Sequence, residues 1–398
     1  MVTSKLLNAP RSRAAAEPLL PVPVATPPAQ RLLSLDAFRG ITIAGMLLVN
    51  NAGNWGHVYW PLEHAEWNGW TPTDLIFPFF LFIVGVAMTF SLGTLRERGA
   101  SRRQLIRKVG SRAAIIFALG LVLNGFPSYD LMHLRVLGVL QRIAVSYLLA
   151  AGVVLATGLR GQVTALLGLL LGYWALMILV PVPGAGAGVL EPAKNLSNWI
   201  DLRIIGVNHT WRQTRTWDPE GILSTMGAIA TVLCGVLAGH WIRSRRPALE
   251  KTVGLFLAGN LGLVLGVIWN APFPINKSIW TSAYVTFTAG MACHGLAMTY
   301  WVVDVKGYRR WATPFLVFGT NSIAAYWLSS LVAIALTRIQ VAGPAAGEAW
   351  TLKTYLERTL YESWLSPINA SLAYAVTYVC VWLALLSVLY RKRIFIKV

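Results

Sequence analysis

Cysteine and acidic residues are the scarce elements of this chain. Its three cysteines, Cys234, Cys293 and Cys380, each lie inside an apolar run, where a thiol reads as a small buried hydrophobe and not as part of a disulfide framework. No Cys or His spacing of the metal-ligating kind is present, so no metal is expected. Charge is scarce too: 13% of the 398 residues are charged, and only 16 are acidic against 34 basic. With 56% hydrophobic residues, the chain lacks the polar surface of a soluble globular protein. Residues 1–30, which include PLLPVPVATPPAQ, hold no apolar run long enough for a signal-peptide core; a flexible cytoplasmic tail is expected there.

What the sequence does have is a succession of apolar stretches. They run from about Leu35 to Asn50, from the TPTD turn to Leu92, and over Ala113–Phe126, Val136–Thr157, Val163–Val180, Ile222–Ile242 and Val253–Trp269. An eighth reaches Val303, and the last two cover Pro314–Leu336 and Ile368–Tyr390. Each has the length and apolarity of a membrane-crossing helix or nearly so. The expected fold is therefore all-α: a polytopic membrane protein of about ten transmembrane helices, with residues 31–398 forming a single domain. An even number of spans puts both termini on one side. That side collects 24 of the Lys and Arg residues, including the RERGASRRQLIRKVGSR run, against 8 on the other. Such a bias makes it cytoplasmic. The net charge of +18 thus reflects topology and does not call for a nucleic-acid partner.

The loop between the first two spans holds the densest chemistry. His64 sits in EHAEWNG, flanked by Glu63 and Glu66, with Asn68 just beyond and Asp74 at the start of the second helix, where Thr73 or Asp74 can serve as its cap. A carboxylate beside an imidazole fixes its tautomer and holds the positive charge that develops in proton or acyl transfer, so His64 is a candidate base or nucleophile. Asn50 and Asn51 close the first span and are placed to cap it or to bind a carbonyl oxygen turning into an oxyanion. Arg142 lies deep in the fourth span, where an unpaired charge is costly; it needs Asp74, Asp36 or a ligand as partner. Asp218-Pro219-Glu220-Gly221 reads as a helix start. Asn321, in the ninth span, reads as a packing polar group.

RLLSLDAFRG, EHAEWNG followed by DLIFPFFLFIVG, LGVLQRIAVSY, DPEGILSTM, PINKSIWTSAYV and GTNSIAAYW, in that order, resemble the heparan-α-glucosaminide N-acetyltransferase family of transmembrane acyltransferases. The resemblance implies a compact prokaryotic member in the bacterial inner membrane. It also implies transfer of acetyl from cytosolic acetyl-CoA to an amino sugar on the far side, with His64 as the catalytic histidine and Asn50 as its partner. Asp74, Glu66, Asn68 and Arg142 are the supporting residues. For the phosphates of CoA, the basic face offers Arg31, Arg39, the Arg96–Arg112 cluster and Arg243, Arg245 and Arg246. A homodimer is open to such a bundle. The rival reading is a transporter for sugars or other small solutes, which needs neither His64 nor acetyl-CoA.

Overall fold

The computed structural model describes residues 32–343 and 347–396; the expected tail 1–30 and Arg31 lie outside the described residues. Leu32–Val398 is one compact unit. It is a bundle of helices: α1 Leu33–Val49, α2 Ile76–Glu97, α3 Arg102–Gly125, α4 Val139–Ala156, α5 Leu159–Leu179, α6 Leu196–Ile204, α7 Thr225–Arg243, α8 Ala248–Trp269 and α9 Ser282–Thr299. Then follow α10 Thr313–Thr320, α11 Ser322–Arg338, a two-stranded antiparallel hairpin (β1 Gln340–Ala342, β2 Ala349–Thr351), α12 Leu352–Glu357 and α13 Pro367–Arg391.

Among the described residues, six segments are long and apolar enough to cross a membrane: Pro72–Glu97, α4, α5, α7, α8 and α13. Among the described residues, the pair α10 and α11 makes a seventh if counted as one span. The ten expected spans also include α1, which is only 17 residues long. They include α3, which opens on RRQLIRK, and α9, which is rich in Gly, Ala and Thr. All-α membrane architecture is what the helices define.

Local chemistry shifts several element boundaries. Ser101 and Gln104 form a capping box, with Ser101 Oγ accepting the Gln104 N–H at 3.3 Å and Gln104 Oε1 accepting the Ser101 N–H at 2.8 Å. The basic run, too charged for the hydrocarbon, is therefore helical from Arg102. Asp218 caps only a turn, its Oδ1 accepting the Glu220 N–H at 2.9 Å while the carboxylate also binds Arg135; α7 begins seven residues later with Ser224 as N-cap. The ninth apolar stretch is broken. α10 and α11 meet at 72° on Asn321, whose side chain donates to the Ile394 carbonyl (3.1 Å) and accepts the Ile396 N–H (2.8 Å). Asn321 thus holds the C-terminal segment in the notch of the break.

The core lies among α1, α2, α4, α7 and α9, where Leu47, Leu81, Ile83, Ala150, Val232 and Leu296 are fully enclosed. Small residues allow close crossings: a methyl built on Gly40 would stand 1.7 Å from the Phe315 carbonyl oxygen, and one on Gly235 would stand 2.0 Å from that of Phe82. By contrast α5, α8 and α13 turn apolar faces outward, with Leu167, Leu171, Leu257, Leu261, Val381 and Leu385 exposed, as suits helices bathed in lipid. At one end of the bundle the loops are stitched together. Gly53 donates to the Ser371 carbonyl, Gly69 to that of Ile275, and Val136 to that of His209. This is the end that carries His64.

Candidate active site

The α1–α2 loop is tied down before it presents its histidine. Thr71, and neither Thr73 nor Asp74, is the cap of the short helical turn Pro72–Leu75 that leads into α2. Asp74 closes that turn from within: its Oδ2 accepts the backbone N–H of Thr71 at 3.1 Å, its hydroxyl at 3.2 Å, and the backbone N–H of Ala65 at 3.0 Å. Oδ1 then faces the Nδ1 of His64 at 2.7 Å. Asp74 is almost wholly buried, at 1% side-chain exposure, whereas His64 is half exposed at 50%. The carboxylate that serves the imidazole is therefore Asp74. Glu63 and Glu66, beside it in sequence, are exposed.

A carboxylate held by this many donors accepts only, so Nδ1 of His64 is the donor and the lone pair resides on Nε2. A buried acid fixes the tautomer and leaves the other ring nitrogen as the acceptor on a half-exposed side chain. This is the arrangement that base or nucleophile chemistry requires.

Lys277 was not singled out from the sequence, yet it completes the cluster. Its Nζ lies 2.9 Å from Nδ1 and 3.2 Å from Nε2 of His64, and 3.3 Å from Asp74 Oδ1. It comes from the α8–α9 loop, 213 residues away in sequence. That loop is rigidly built. Asn276 Oδ1 accepts the Ile279 N–H at 3.1 Å, and Asn276 Nδ2 donates to Asn68 Oδ1 at 3.1 Å, joining the two loops. Trp280 adopts a left-handed backbone conformation (φ 49°), unusual for a bulky residue. Its buried indole donates to Thr231 Oγ1 at 3.1 Å and stands edge-on to Phe77 and Tyr284, which keeps it there. Burial pulls the Lys277 ammonium below its ordinary range, with the carboxylates of Asp74 and Glu220 acting the other way.

The other expected site residues are placed as follows. Asn50 is the exposed C-cap of α1, and no hydrogen bond joins it to His64 among the described residues; its neighbour Asn51 is buried and donates to the Leu47 carbonyl at 2.7 Å. Arg142 is buried and bonds to neither Asp74 nor Asp36. One amino group donates to the Gly221 carbonyl (3.0 Å) and to Ser224 Oγ, and the guanidinium lies 5.0 Å from the Trp280 ring centre. Among the described residues its Nε and Nη1 are buried without partners, as are the side-chain amide of Asn198 and Oδ2 of Asp201. Beside it, Arg135 forks onto Asp218 at 2.8 and 2.6 Å and reaches Glu220 at 2.5 Å. These residues lie behind the turn that carries Lys277.

At the opposite end of the bundle, Arg39 bonds Asp36 at 3.0 Å and the Gly319 carbonyl at 3.3 Å. Arg243 is held by the Thr89 carbonyl and by Glu97 at 2.7 Å, and Arg246 by Glu250. Arg245 is exposed.

The described residues thus form a helical membrane bundle with an Asp-fixed histidine at one end and arginines at the other. Residues 31–253 match the family model described as heparan-alpha-glucosaminide N-acetyltransferase, catalytic, and the chain belongs to that family. It is 32% identical to the heparan-alpha-glucosaminide N-acetyltransferase of Homo sapiens over 76% of its own length, and 31% identical to that of Mus musculus over 75%. It spans about half the length of these relatives, 53% in each case.

Proposed function

We propose that this chain is a transmembrane acyltransferase that moves the acetyl group of cytosolic acetyl-CoA to the amino group of a glucosamine-type sugar on the other side of a bacterial inner membrane. The observation that carries this reading is the 2.7 Å contact between buried Asp74 and half-exposed His64, which leaves the lone pair on Nε2. Membership of the family supports the class of reaction.

In chemical terms, the amine nitrogen forms a bond to the acetyl carbon and the carbon–sulfur bond breaks. The CoA thiolate leaves and takes up a proton, and the proton of the attacking ammonium must go to a base. Nε2 of His64 serves either route. It accepts that proton in direct transfer, or it bonds to the acetyl carbon first and passes it on. In both, the imidazole gains positive charge, and Asp74 at Nδ1 is placed to stabilise it. Asn50, Glu66 and Asn68 line the same loop end, Asn68 through its bond to Asn276. Arg142, with two nitrogens free in a buried polar nest, supports a polar path between the helices toward this end.

The ten-span reading, with cytoplasmic termini, puts Arg39, Arg243, Arg245 and Arg246, together with Arg31, on the cytosolic face where CoA phosphates dock. Among the described residues of this set, Arg245 is exposed. The break between α10 and α11 is the observation that favours a solute transporter, since broken helices line transport sites. Its polar residue is spent on the chain's own C-terminal segment, however.

The experiment is transfer of radiolabel from acetyl-CoA to glucosamine by the purified protein in detergent. Labelled N-acetylglucosamine is the expected product. Saturable acetyl-CoA binding without this product overturns glucosamine as acceptor, and no binding at all overturns the acyltransferase reading.

A further inference from the structure

We propose that Lys277 is a catalytic residue: its ammonium is the donor that stabilises the oxyanion formed when an acetyl carbonyl is attacked at His64. The proposal rests on the acyltransferase reading, but on a different observation within it.

Reach is the first argument. An acyl carbon bonded to Nε2 carries its oxygen about 2.3 Å from that nitrogen. Lys277 Nζ stands 3.2 Å from Nε2, so the oxygen falls within hydrogen-bonding reach of the ammonium without displacement of the loop. Asn50, the residue expected from the sequence to serve as partner here, is not hydrogen-bonded to the histidine among the described residues.

The second argument is preorganisation. An oxyanion donor is effective when its position is fixed before the charge develops. Lys277 sits in a turn locked by Asn276, Thr281 and the left-handed Trp280; Thr281 Oγ1 accepts the Asn276 N–H at 3.1 Å and donates to the Pro274 carbonyl at 2.7 Å. Gly227, at the start of α7, makes room for this turn: a methyl there would stand 2.3 Å from the Trp280 carbonyl oxygen.

The charged and titratable groups around the ammonium complete the picture. Asp74 faces it from the start of α2 and Glu220 from the segment before α7, the latter held by Arg135, which also holds Asp218. Tyr284 of α9 donates its hydroxyl to the Asp74 carbonyl at 2.5 Å. Arg142 of α4 lies across the Trp280 ring, and Glu63 and Glu66 are exposed on the histidine's own loop. Burial works against the charge on the lysine, and the two carboxylates oppose that effect. The net effect is a proton given up below the ordinary lysine range as pH rises.

The probe is p-nitrophenyl acetate, which needs neither CoA nor a sugar. Nε2 of His64 bonds to its acetyl carbon, nitrophenolate leaves with the electron pair of the carbon–oxygen bond, and water then releases acetate. Nitrophenolate release would be followed from pH 7 to about 10.5 for wild type, His64→Ala, Lys277→Met and Lys277→Arg, beside the acetyl-CoA and glucosamine assay. The expected result is His64-dependent release whose kcat falls about 100- to 1000-fold in Lys277→Met with KM little changed. Lys277→Arg keeps part of the rate and does not share the high-pH decline of wild type, because a guanidinium holds its proton. Wild-type release that does not depend on His64, a Lys277→Met rate within threefold of wild type, or the same high-pH decline in Lys277→Arg overturns the proposal. His64- and Lys277-dependent release without transfer to glucosamine upholds it and refutes only the acceptor.

Discussion

His64 and Asp74 stand ten residues apart in the chain and 2.7 Å apart in space, one half exposed and the other enclosed. The second carboxylate oxygen is occupied by the Ala65 and Thr71 N–H groups, so the acid is oriented by the same turn that starts α2. A single carboxylate thus joins the fold to the reacting imidazole.

Asp74→Asn tests that link. Asparagine keeps an acceptor for the turn, but it can no longer balance a positive imidazole, and it can present an N–H to Nδ1, which moves the histidine proton to Nε2. Acetyl transfer should fall about 100- to 10,000-fold with acetyl-CoA binding retained. Steady-state kinetics beside a binding isotherm make the check, and a loss of less than tenfold would mean the tautomer is set elsewhere.

Arg135 supports the site from behind. Its guanidinium pairs with fully buried Asp218 and with Glu220, so Arg135→Met leaves two buried carboxylates without their cation. Such a loss costs about 3–5 kcal/mol. The variant should unfold at markedly lower temperature in detergent, and an unchanged midpoint would show that water or another cation takes the place of the arginine.

Asp201, on α6 in the long loop before α7, provides a pH signature. Burial pushes its carboxyl up from 3.8 to about 7, with Asp218 adding to the effect and the Ile222 N–H and Arg142 opposing it. The folded protein holds this proton between about pH 4 and 7, where the unfolded chain has released it. Stability from this group is therefore full at low pH, declines as pH rises through that window, and levels off above about 7; the whole change is at most on the order of 4 kcal/mol. Asp201→Asn keeps an acceptor for the Ile222 N–H, which Oδ1 now takes at 2.7 Å. Melting temperature measured from pH 5 to 8 should slope downward in wild type and run flatter and higher at pH 8 in the variant. Parallel curves would show that another group carries the dependence.

Much of this was readable from the chain because it is local. His64, Asn68 and Asp74 fall within one short loop, and apolar runs mark the helices whatever their packing. Lys277 was hidden by distance: 213 residues separate it from His64, and among the basic residues it looked like one of eight on the outer side. Arg142 was legible as a costly buried charge, but its partners, a backbone carbonyl and a serine hydroxyl, leave no mark in a sequence. Asp218 does cap the Glu220 N–H, but only a turn follows it, and its pairing with Arg135, 83 residues away, leaves no mark in the pattern. The break at Asn321 had a signal, Gly319-Thr320-Asn321, which resembles a helix stop but was overridden by the apolar residues on both sides.

The most direct measurement is acetyl transfer from radiolabelled acetyl-CoA to glucosamine by wild type and His64→Ala, with acetyl-CoA binding measured on both. His64 is half exposed on a loop, so its removal should leave folding and binding intact. The account predicts labelled N-acetylglucosamine from wild type only, with saturable acetyl-CoA binding in both proteins. Product formed by His64→Ala at the wild-type rate would contradict it.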